Sequence, residues 1–351
     1  MRLGLNLAYW STAADAADLL ALAREADRLG FAVAWTAEAY GSDVVSTLAW
    51  VAAQTERIDI GSAICQIPAR TPAMTAMTAA SLDALSGGRF RLGLGVSGPQ
   101  VSEGWHGVRY DAPLGRTREY VDIVRMALRR DRVTYAGKHF ELPLPDGPGK
   151  PLKLIVHPVR DHLPIYLAAV GPKNLELCGE IADGWLAIFF SAQHAAEQLA
   201  SVERGAVTAG KDGLAGFDVV PTVPISVGDD LAVCAEPIRG YAALYVGGMG
   251  SREKNFYNAL ARRYGYEEAA QQIQDAYLAR DYATAMAAVP QEFIDETSLL
   301  GPPARIAERM AEYAAAGVTT LALTTTGSTV DERIAQLRHA ADALDKAGVG
   351  E

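Results

Sequence analysis

Apolar and polar positions along the chain repeat with two different periods, and the two periods follow each other in regular order. Residues 3–8 have the two-residue alternation of a strand. Between residues 19 and 29, apolar positions recur at spacings of three and four, as on one face of a helix. Thr12 and Asp15 precede this helix with the spacing of a capping box, and Gly30 provides its end. The beginning of the chain therefore predicts one strand followed by one helix.

The same pair of patterns recurs along the chain and predicts eight strand–helix units. The predicted strands cover residues 3–8, 31–37, 57–64, 89–95, 164–169, 184–190, 217–226 and 319–325. The helices predicted most clearly after the first one cover residues 46–55, 72–85, 116–130, 174–181, 192–210 and 330–347. Eight units without a break in composition favour a (β/α)₈ TIM barrel. A doubly wound open sheet has the same alternation and is the alternative, and only the number of units argues against it.

Two segments interrupt this alternation and predict insertions. Residues 133–140 place a glycine between two β-rich trios, which predicts a small hairpin after the fourth helix. Between strands seven and eight, roughly residues 230–302, the pattern is mostly helical, which predicts a helical insertion. Since no linker rich in proline or serine isolates it, we expect one barrel domain over residues 1–351.

Composition narrows the classes of partner. The formal net charge of −10 and the lack of any run of five Lys or Arg argue against a nucleic-acid partner. No apolar run approaches the ~18 residues of a membrane-spanning helix, and the first residues lack the layout of a signal peptide. Cys65, Cys178 and Cys234 are widely spaced and odd in number, which is typical of a reducing cytoplasm. The histidines lack the spacing of metal ligands, so no metal is expected.

The end of the fourth strand is rich in glycine. Residues 93–98 match the GxGxxG fingerprint of dinucleotide-binding proteins, which also requires a helix to open at the last glycine. Here a proline follows at once, and residues 99–107 show no helical period, so we expect no Rossmann site. Glycines needed only for tight packing at a strand end are one interpretation. A ligand-binding loop made of Val96, Ser97 and Gly98 is the other, and the neighbouring strand ends favour it.

Small residues also end the third and fifth strands. The residues at these two strand ends are Ser62, Ala63, Ile64, Ala169, Val170, Gly171 and Pro172. The second group opens a helix, and the free N–H groups of a helix start bind anions such as phosphate. In α/β proteins, ligands bind at this end of the strands. An ordinary strand end is the alternative at both places.

Side chains that could act on a bound ligand follow strands one, two and four. Glu38, Tyr40 and His106 can exchange a proton or a hydrogen bond with a substrate, although a single loop histidine is more often structural. Residues 247–257 pass from small to basic residues, which predicts either an anion-binding or lid loop or a simple turn with solvated charges. The aromatic residues that could form walls for a planar substrate are Tyr9, Trp10 and Trp105.

These segments together resemble the bacterial luciferase-like superfamily of flavin and deazaflavin oxidoreductases, and within it the branch that depends on coenzyme F420. The resemblance is carried by residues 61–79, 85–107, 118–125 and 167–185. It implies a TIM barrel, a homodimer and a hydride transfer between C5 of the deazaflavin and a small organic substrate. Reduction of an activated C=C, C=N or C=O bond is the reaction expected. FMN-dependent monooxygenases that use reduced flavin and oxygen share the fold and are the alternative.

The resemblance also assigns roles to residues. It implies a bulge near Ser62, Ala63 and Ile64, often with a non-proline cis peptide, that presses on the cofactor ring. It places the cofactor phosphate on residues 169–172 and the carboxylate of Glu38 near the ring.

The chain departs from the sugar-phosphate dehydrogenases of this superfamily at two places. Ala39 stands where these enzymes have a histidine, and residues 97–100 lack their catalytic glutamate. Both departures argue against sugar-phosphate oxidation, and they leave a non-catalytic cofactor-binding protein as a third interpretation.

Overall fold

Eight parallel strands form a closed cylinder. The computed structural model describes residues 1–351, apart from the side chain of Ala13. The barrel strands are β1 (Arg2–Asn6), β2 (Val33–Thr36), β3 (Asp59–Ser62), β4 (Phe90–Gly95), β5 (Ile165–Ala168), β6 (Gly184–Ile188), β7 (Asp218–Val227) and β8 (Thr320–Thr325). Each strand pairs with the next, and β8 pairs with both β7 and β1. The predicted TIM barrel is confirmed, and the open sheet is wrong because β8 joins the two edges.

Helices surround this cylinder. They are α1 (Ala13–Leu29), α2 (Val44–Ala52), α3 (Pro72–Leu85), α4 (Pro99–Gly104), α5 (Pro113–Leu128), α6 (Pro172–Ile181), α7 (Ala195–Thr208), α8 (Leu231–Ala243), α9 (Phe256–Arg263), α10 (Glu267–Leu278), α11 (Tyr282–Ala287), α12 (Gln291–Glu296), α13 (Pro303–Ala315) and α14 (Val330–Ala347). The capping box of Thr12 and Asp15 is present at α1, and Gly30 ends that helix with a φ of 80°. Among the described helices, none combines the length and apolar character needed to cross a membrane.

Two additions extend the barrel. Tyr135–Ala136 and Glu141–Leu142 pair as a short antiparallel hairpin after α5. Helices α8 to α12 lie between β7 and β8, and the short strand Leu299–Gly301 after them pairs with the end of β7. These helices have an apolar core of their own, whose buried side chains include Ile238, Val246, Leu260, Ile273 and Phe293.

One expectation about the chain after β4 is wrong. Residues 99–107 show no helical period, yet α4 begins directly after Gly98. A proline at the first helical position needs no N–H partner and has a φ suited to a helix, so it starts this short helix. Six residues are too few to show a period. What argues against a Rossmann site is instead the position of β4 between β3 and β5 in a closed barrel.

The inside of the barrel is filled by aromatic rings that face glycines. Trp35 and Tyr166 meet edge to face, with ring centroids 5.1 Å apart. A Cβ atom on Gly61 would lie 2.3 Å from the Trp35 ring, and one on Gly184 would lie 2.3 Å from the Tyr166 ring. The glycines therefore provide the space that the two rings occupy, and the barrel is a packed core rather than a channel.

A buried ion cluster closes the amino-terminal end of the barrel. The guanidinium of Arg91 pairs with Asp59 at 2.8 Å and with Asp218 at 3.2 Å. Asp218 also accepts hydrogen bonds from Tyr166 at 2.9 Å and from Thr320 at 2.8 Å. Paired charged and polar groups thus fill this end of the barrel, and the opposite end of the strands is where a ligand is expected.

Candidate functional site

The residues named as candidates all lie at or beyond the carboxyl ends of β1 to β5. They therefore surround the mouth of the barrel, where TIM-barrel enzymes have their active sites. The side chains of Ala63, Ile64 and Ala168 pack on the aromatic cluster inside the barrel. These three residues give the mouth an apolar floor.

The chain leaves β3 through a bulge. The peptide bond between Ala63 and Ile64 is cis, which confirms the expected feature. Beyond it, Cys65–Gln66 resumes pairing with β4. Ser62 is fully buried, and its Oγ donates to the Gly93 carbonyl at 2.8 Å and accepts from the Gly93 N–H at 2.9 Å. The Ser62 hydroxyl is thus engaged by the neighbouring strand. Only the Ser62 backbone, together with Ala63 and Ile64, remains available to a ligand.

Glu38 lies near the mouth but is enclosed by hydrogen bonds. Its carboxylate forms a bidentate ion pair with Arg70, with Oε2 at 2.9 Å from Nη2, and it accepts the Gln66 N–H at 2.8 Å. Glu38 and Arg70 are only 8% and 14% exposed. Both carboxylate oxygens are therefore engaged, and the pair fixes the loop after β2 to the chain that follows the bulge.

Cys65 lies beside this pair and is unreactive as a nucleophile. Burial, with a smaller contribution from the Glu38 carboxylate, raises the pKa of the Cys65 thiol to about 12. The thiol therefore stays protonated at neutral pH and packs as a small apolar group.

The loop after β4 presents backbone and unpaired polar atoms to the mouth. Ser97 has a φ of 60°, in the left-handed region, and Gly98 follows in an extended conformation as the N-cap of α4. Among the described residues, neither Nε2 of His106 nor the hydroxyl of Tyr110 has a hydrogen-bond partner, although both atoms are buried. Buried polar groups normally have partners, so the lack of one singles out these two atoms.

The start of α6 is open. Gly171 is the N-cap and Pro172 the first helical residue, as the sequence predicts for an anion site. A Cβ atom on Gly171 would meet no other atom within 4 Å. A small cleft adjoins this helix start, between Val170 and Arg263. The N–H groups at the start of α6 therefore face open space rather than packed side chains.

Several aromatic side chains surround the mouth. Tyr9, Tyr40 and Trp105 are 44%, 62% and 67% exposed, so a substrate can reach all three. Trp10 is instead held in place, because its indole N–H donates to Thr47 at 3.1 Å. The structure brings these side chains to the same end of the barrel as the bulge, the glycine loop and the start of α6.

The structure adds tyrosines that the sequence patterns did not single out. Tyr241, Tyr245 and Tyr257 of the insertion pack around Phe189, which directly follows β6. A compositional signal was present, because seven of the fourteen tyrosines lie between residues 241 and 282. In the loop at residues 247–257, Arg252 forms an ion pair with Asp275, so the charge of this arginine is already balanced within the chain.

Comparison with known proteins covers nearly the whole chain. A family model described as luciferase-like monooxygenase matches residues 3–320. A protein of Mycobacterium tuberculosis, proposed by name to be a coenzyme F420-dependent oxidoreductase, is 42% identical over 332 residues, which are 92% of this chain and 95% of the relative. The 5,10-methylenetetrahydromethanopterin reductase of Archaeoglobus fulgidus is 30% identical over 303 residues, 84% of this chain and 85% of that one.

A solved structure agrees with these matches. The coenzyme F420-dependent tetrahydromethanopterin reductase of Methanopyrus kandleri superposes with a TM-score of 0.81 and 25% identity. The superposition covers 96% of this chain and 97% of that one. The three strand ends described above all lie within residues 3–320, which the family model matches.

Proposed function

The chain belongs to the luciferase-like monooxygenase family, and from this premise we propose that it is an oxidoreductase that uses coenzyme F420. The proposed reaction is hydride transfer between C5 of the deazaflavin and a small organic substrate, with reduction of an activated C=C, C=N or C=O bond. The observation that carries the proposal is the meeting of three small-residue strand ends, those of β3, β4 and β5, at one mouth. The similarity to relatives named as F420-dependent favours F420 over FMN.

Each strand end has a separate part in holding the cofactor. At β3, the backbone of Ser62 and the residues Ala63 and Ile64 support the flat face of the ring. At β4, Val96, Ser97 and Gly98 lie beside the ring edge, and the backbone at Gly98 can be approached closely because it carries no side chain. Gly95 makes room for Ile64, since a Cβ there would lie 2.8 Å from the Ile64 side chain. When bound, F420 supplies a two-electron carrier at C5 that reacts poorly with oxygen.

At β5, residues 169–172 hold the phosphate of the cofactor. The first N–H groups of a helix have no partner within the helix, and they favour an anion. The open space at Gly171 fits this role, since no side chain competes for these N–H groups there. Arg263 donates to the Val170 carbonyl at 3.1 Å, so a cation also stands beside the same site.

Reduction of a double bond also requires a proton donor near the substrate. Glu38 does not suit this task, because Arg70 and the Gln66 N–H occupy both of its oxygens. His106 fits better, since its buried Nε2 has no partner among the described residues. Tyr40 is a second candidate, and Tyr9, Trp10 and Trp105 form part of the substrate wall. The homodimer implied by the family resemblance stays a prediction, which the mass of the protein in solution tests.

The proposal is tested by titrating the purified protein with F420 and FMN side by side, followed by fluorescence. Tight binding of F420, and oxidation of reduced F420 in the presence of enone, imine or ketone substrates, is the expected result. Tight binding of FMN with oxygen uptake and no binding of F420 would instead assign the chain to the monooxygenases. Binding of F420 without turnover of any substrate would leave a cofactor-binding protein, which the enzymatic names of the relatives disfavour.

A further inference from the structure

Three tyrosines of the insertion form a packed aromatic group over the mouth, which we call the tyrosine wall: Tyr241, Tyr245 and Tyr257. The ring centroids of Tyr241 and Tyr245 are 4.7 Å apart, and those of Tyr245 and Tyr257 are 4.9 Å apart. All three rings contact Phe189, at centroid distances of 5.4, 5.8 and 6.4 Å. Since Phe189 directly follows β6, the insertion is joined to the barrel at this point.

The hydroxyls of the tyrosine wall have no hydrogen-bond partner in the part of the chain that the structure describes. Tyrosines buried elsewhere behave differently: Tyr264 donates to the Phe189 carbonyl at 3.0 Å, and Tyr166 donates to Asp218 at 2.9 Å. These three side chains are partly exposed, so a molecule in the mouth can reach their hydroxyls. A tyrosine that packs its ring on apolar neighbours still offers its hydroxyl to a hydrogen-bond partner. The three neighbouring unpaired hydroxyls can therefore bind a partner outside the chain.

Two further phenols lie near the tyrosine wall. Tyr9, after β1, is close enough to Tyr241 and Tyr245 to influence their pKa, and Tyr110, after β4, influences the pKa of Tyr257. The Tyr110 hydroxyl is buried and unpaired among the described residues. Phenols of two barrel loops thus neighbour those of the insertion.

The surroundings of the wall are uncharged. Burial raises the pKa of Tyr257 to about 12 and raises the pKa of Tyr245 further, and neighbouring phenols make a smaller contribution in the same direction. Within the described residues, no Arg, Lys, Asp or Glu contributes to these shifts. Two basic residues of the insertion are engaged elsewhere, since Arg252 pairs with Asp275 and Arg262 contacts Asn258.

Tyr245 is placed by an unusual piece of helix. Residues Leu244–Gly248 continue α8 as one turn of π-helix, with Tyr241 in the preceding turn. Such turns are rare and are found frequently at functional sites, where they direct a side chain away from the regular helical face. Gly247 and Gly248 allow the ring of Tyr277 to pack against this turn, because a Cβ on either would collide with it.

We propose that the tyrosine wall, together with Tyr9 and Tyr110, is the substrate-binding surface and selects a neutral, ring-containing molecule with a carbonyl or hydroxyl oxygen. This inference rests on the proposed function, because it names the substrate class of the same site. The ring faces pack against an apolar body, and the unpaired hydroxyls donate to the oxygen. A phosphate or carboxylate on the substrate would be buried here without a cation and is rejected.

The test compares two probes of the same shape and different charge: benzylideneacetone and its para-carboxy derivative. Binding of each is measured by ligand-observed NMR, to the protein alone and to the protein loaded with F420. The neutral ketone is expected to bind roughly tenfold or more tightly than the carboxylate, since a site without a cation leaves the anion unpaired. Equal affinities, tighter binding of the carboxylate or binding of neither probe would overturn the inference.

Variants separate the hydroxyls from the ring packing. Tyr241→Phe, Tyr245→Phe and Tyr257→Phe keep the aromatic rings and are each expected to weaken benzylideneacetone binding by about two- to tenfold. Tyr282→Phe, at a half-exposed position in α11, is the matched control and should change nothing. If all three variants bind the ketone as well as the natural protein does, the wall is only structural.

The same experiment distinguishes failure of the inference from failure of the proposed function. If the protein does not bind F420 and still prefers the neutral probe, the cofactor assignment fails and the substrate class stands. If F420 binds and the preference is absent, the proposed function stands and the tyrosine wall is not the substrate surface.

Discussion

Gly171 is the residue at which the proposed phosphate site can be tested with the least disturbance. Its φ of −85° is accessible to any residue, and a Cβ there meets no atom within 4 Å. Gly171→Val should therefore fold normally and weaken F420 binding by about tenfold or more, because the side chain would enter the space beside the N–H groups of α6. Fluorescence titration measures the loss. Gly147→Val, in a surface loop with similar free space, is the control, and equal affinities of the two variants would refute the assignment.

Glu38 illustrates how contacts limit a role that sequence position suggests. The family resemblance places a carboxylate near the cofactor ring, and Glu38 does lie after β2 at the mouth. What the sequence could not reveal is that Arg70, thirty-two residues away, takes up both oxygens. Partners of this kind depend on tertiary packing, and no local pattern encodes them.

For Glu38→Gln, we predict a loss of stability rather than a loss of chemistry. Removing the Glu38 charge leaves Arg70 with only Asp43, at 3.2 Å, as an anionic partner, and should cost about 1–3 kcal/mol. Denaturant unfolding should show this loss, while kcat stays within a few fold of the natural protein. Arg70→Gln and the double variant complete a cycle that isolates the pair. A fall in kcat by orders of magnitude at unchanged stability would instead make Glu38 a catalytic residue.

At the scale of elements, the long periodic segments were predictable and the short ones were not. Helices α3 and α14 have the predicted bounds, because each carries a capped apolar face over three turns or more. Helix α4 was missed because it has six residues. Helix α8 lies within the predicted helical insertion, but its bounds were not predicted because Pro237 interrupts its pattern. The third strand was predicted to continue to residue 64, but the chain leaves the strand at the bulge after Ser62.

The strand glycines provide a test at this scale. Gly61→Ala should lower the free energy of unfolding by about 1–3 kcal/mol or more, since the added Cβ lies 2.3 Å from the buried Trp35 ring. Thermal and denaturant unfolding measure the change. Gly104→Ala is the control, because its Cβ meets no atom and alanine favours a helix. Similar stability of the two variants would show that the barrel interior is not packed as described.

At the scale of the whole molecule, the two ends of the barrel differ. The amino-terminal end holds the buried ion cluster that stabilises the fold, and the carboxyl end of the strands holds the proposed ligand site. The number of strand–helix units predicts closure, because eight units suit a cylinder. Which loop side chains meet across the mouth could not be predicted, since Tyr9 and Tyr245, and likewise Tyr110 and Tyr257, become neighbours only after closure. The proposed binding positions at the strand ends were easier to predict, because the small residues there are visible in the sequence itself.

Asp218→Ala tests this separation. Asp218 is buried at the amino-terminal end and accepts from Arg91, Tyr166 and Thr320, so its removal should cost about 3–5 kcal/mol of stability. The affinity of the folded variant for F420 should stay unchanged, because the proposed cofactor site lies at the opposite end. Unfolding curves and the titration, both at a temperature where the variant is folded, give the two values. A variant with full stability and lost cofactor binding would contradict the assignment of the two ends.

The central claim is that the ends of β3, β4 and β5 jointly bind one cofactor, and a crystal structure of the protein with F420 tests it most directly. The account predicts the deazaflavin ring against Ala63 and Ile64, its edge beside residues 96–98, and its phosphate on the N–H groups that follow Gly171. A ring located outside the mouth, or a phosphate bound away from the start of α6, would contradict it.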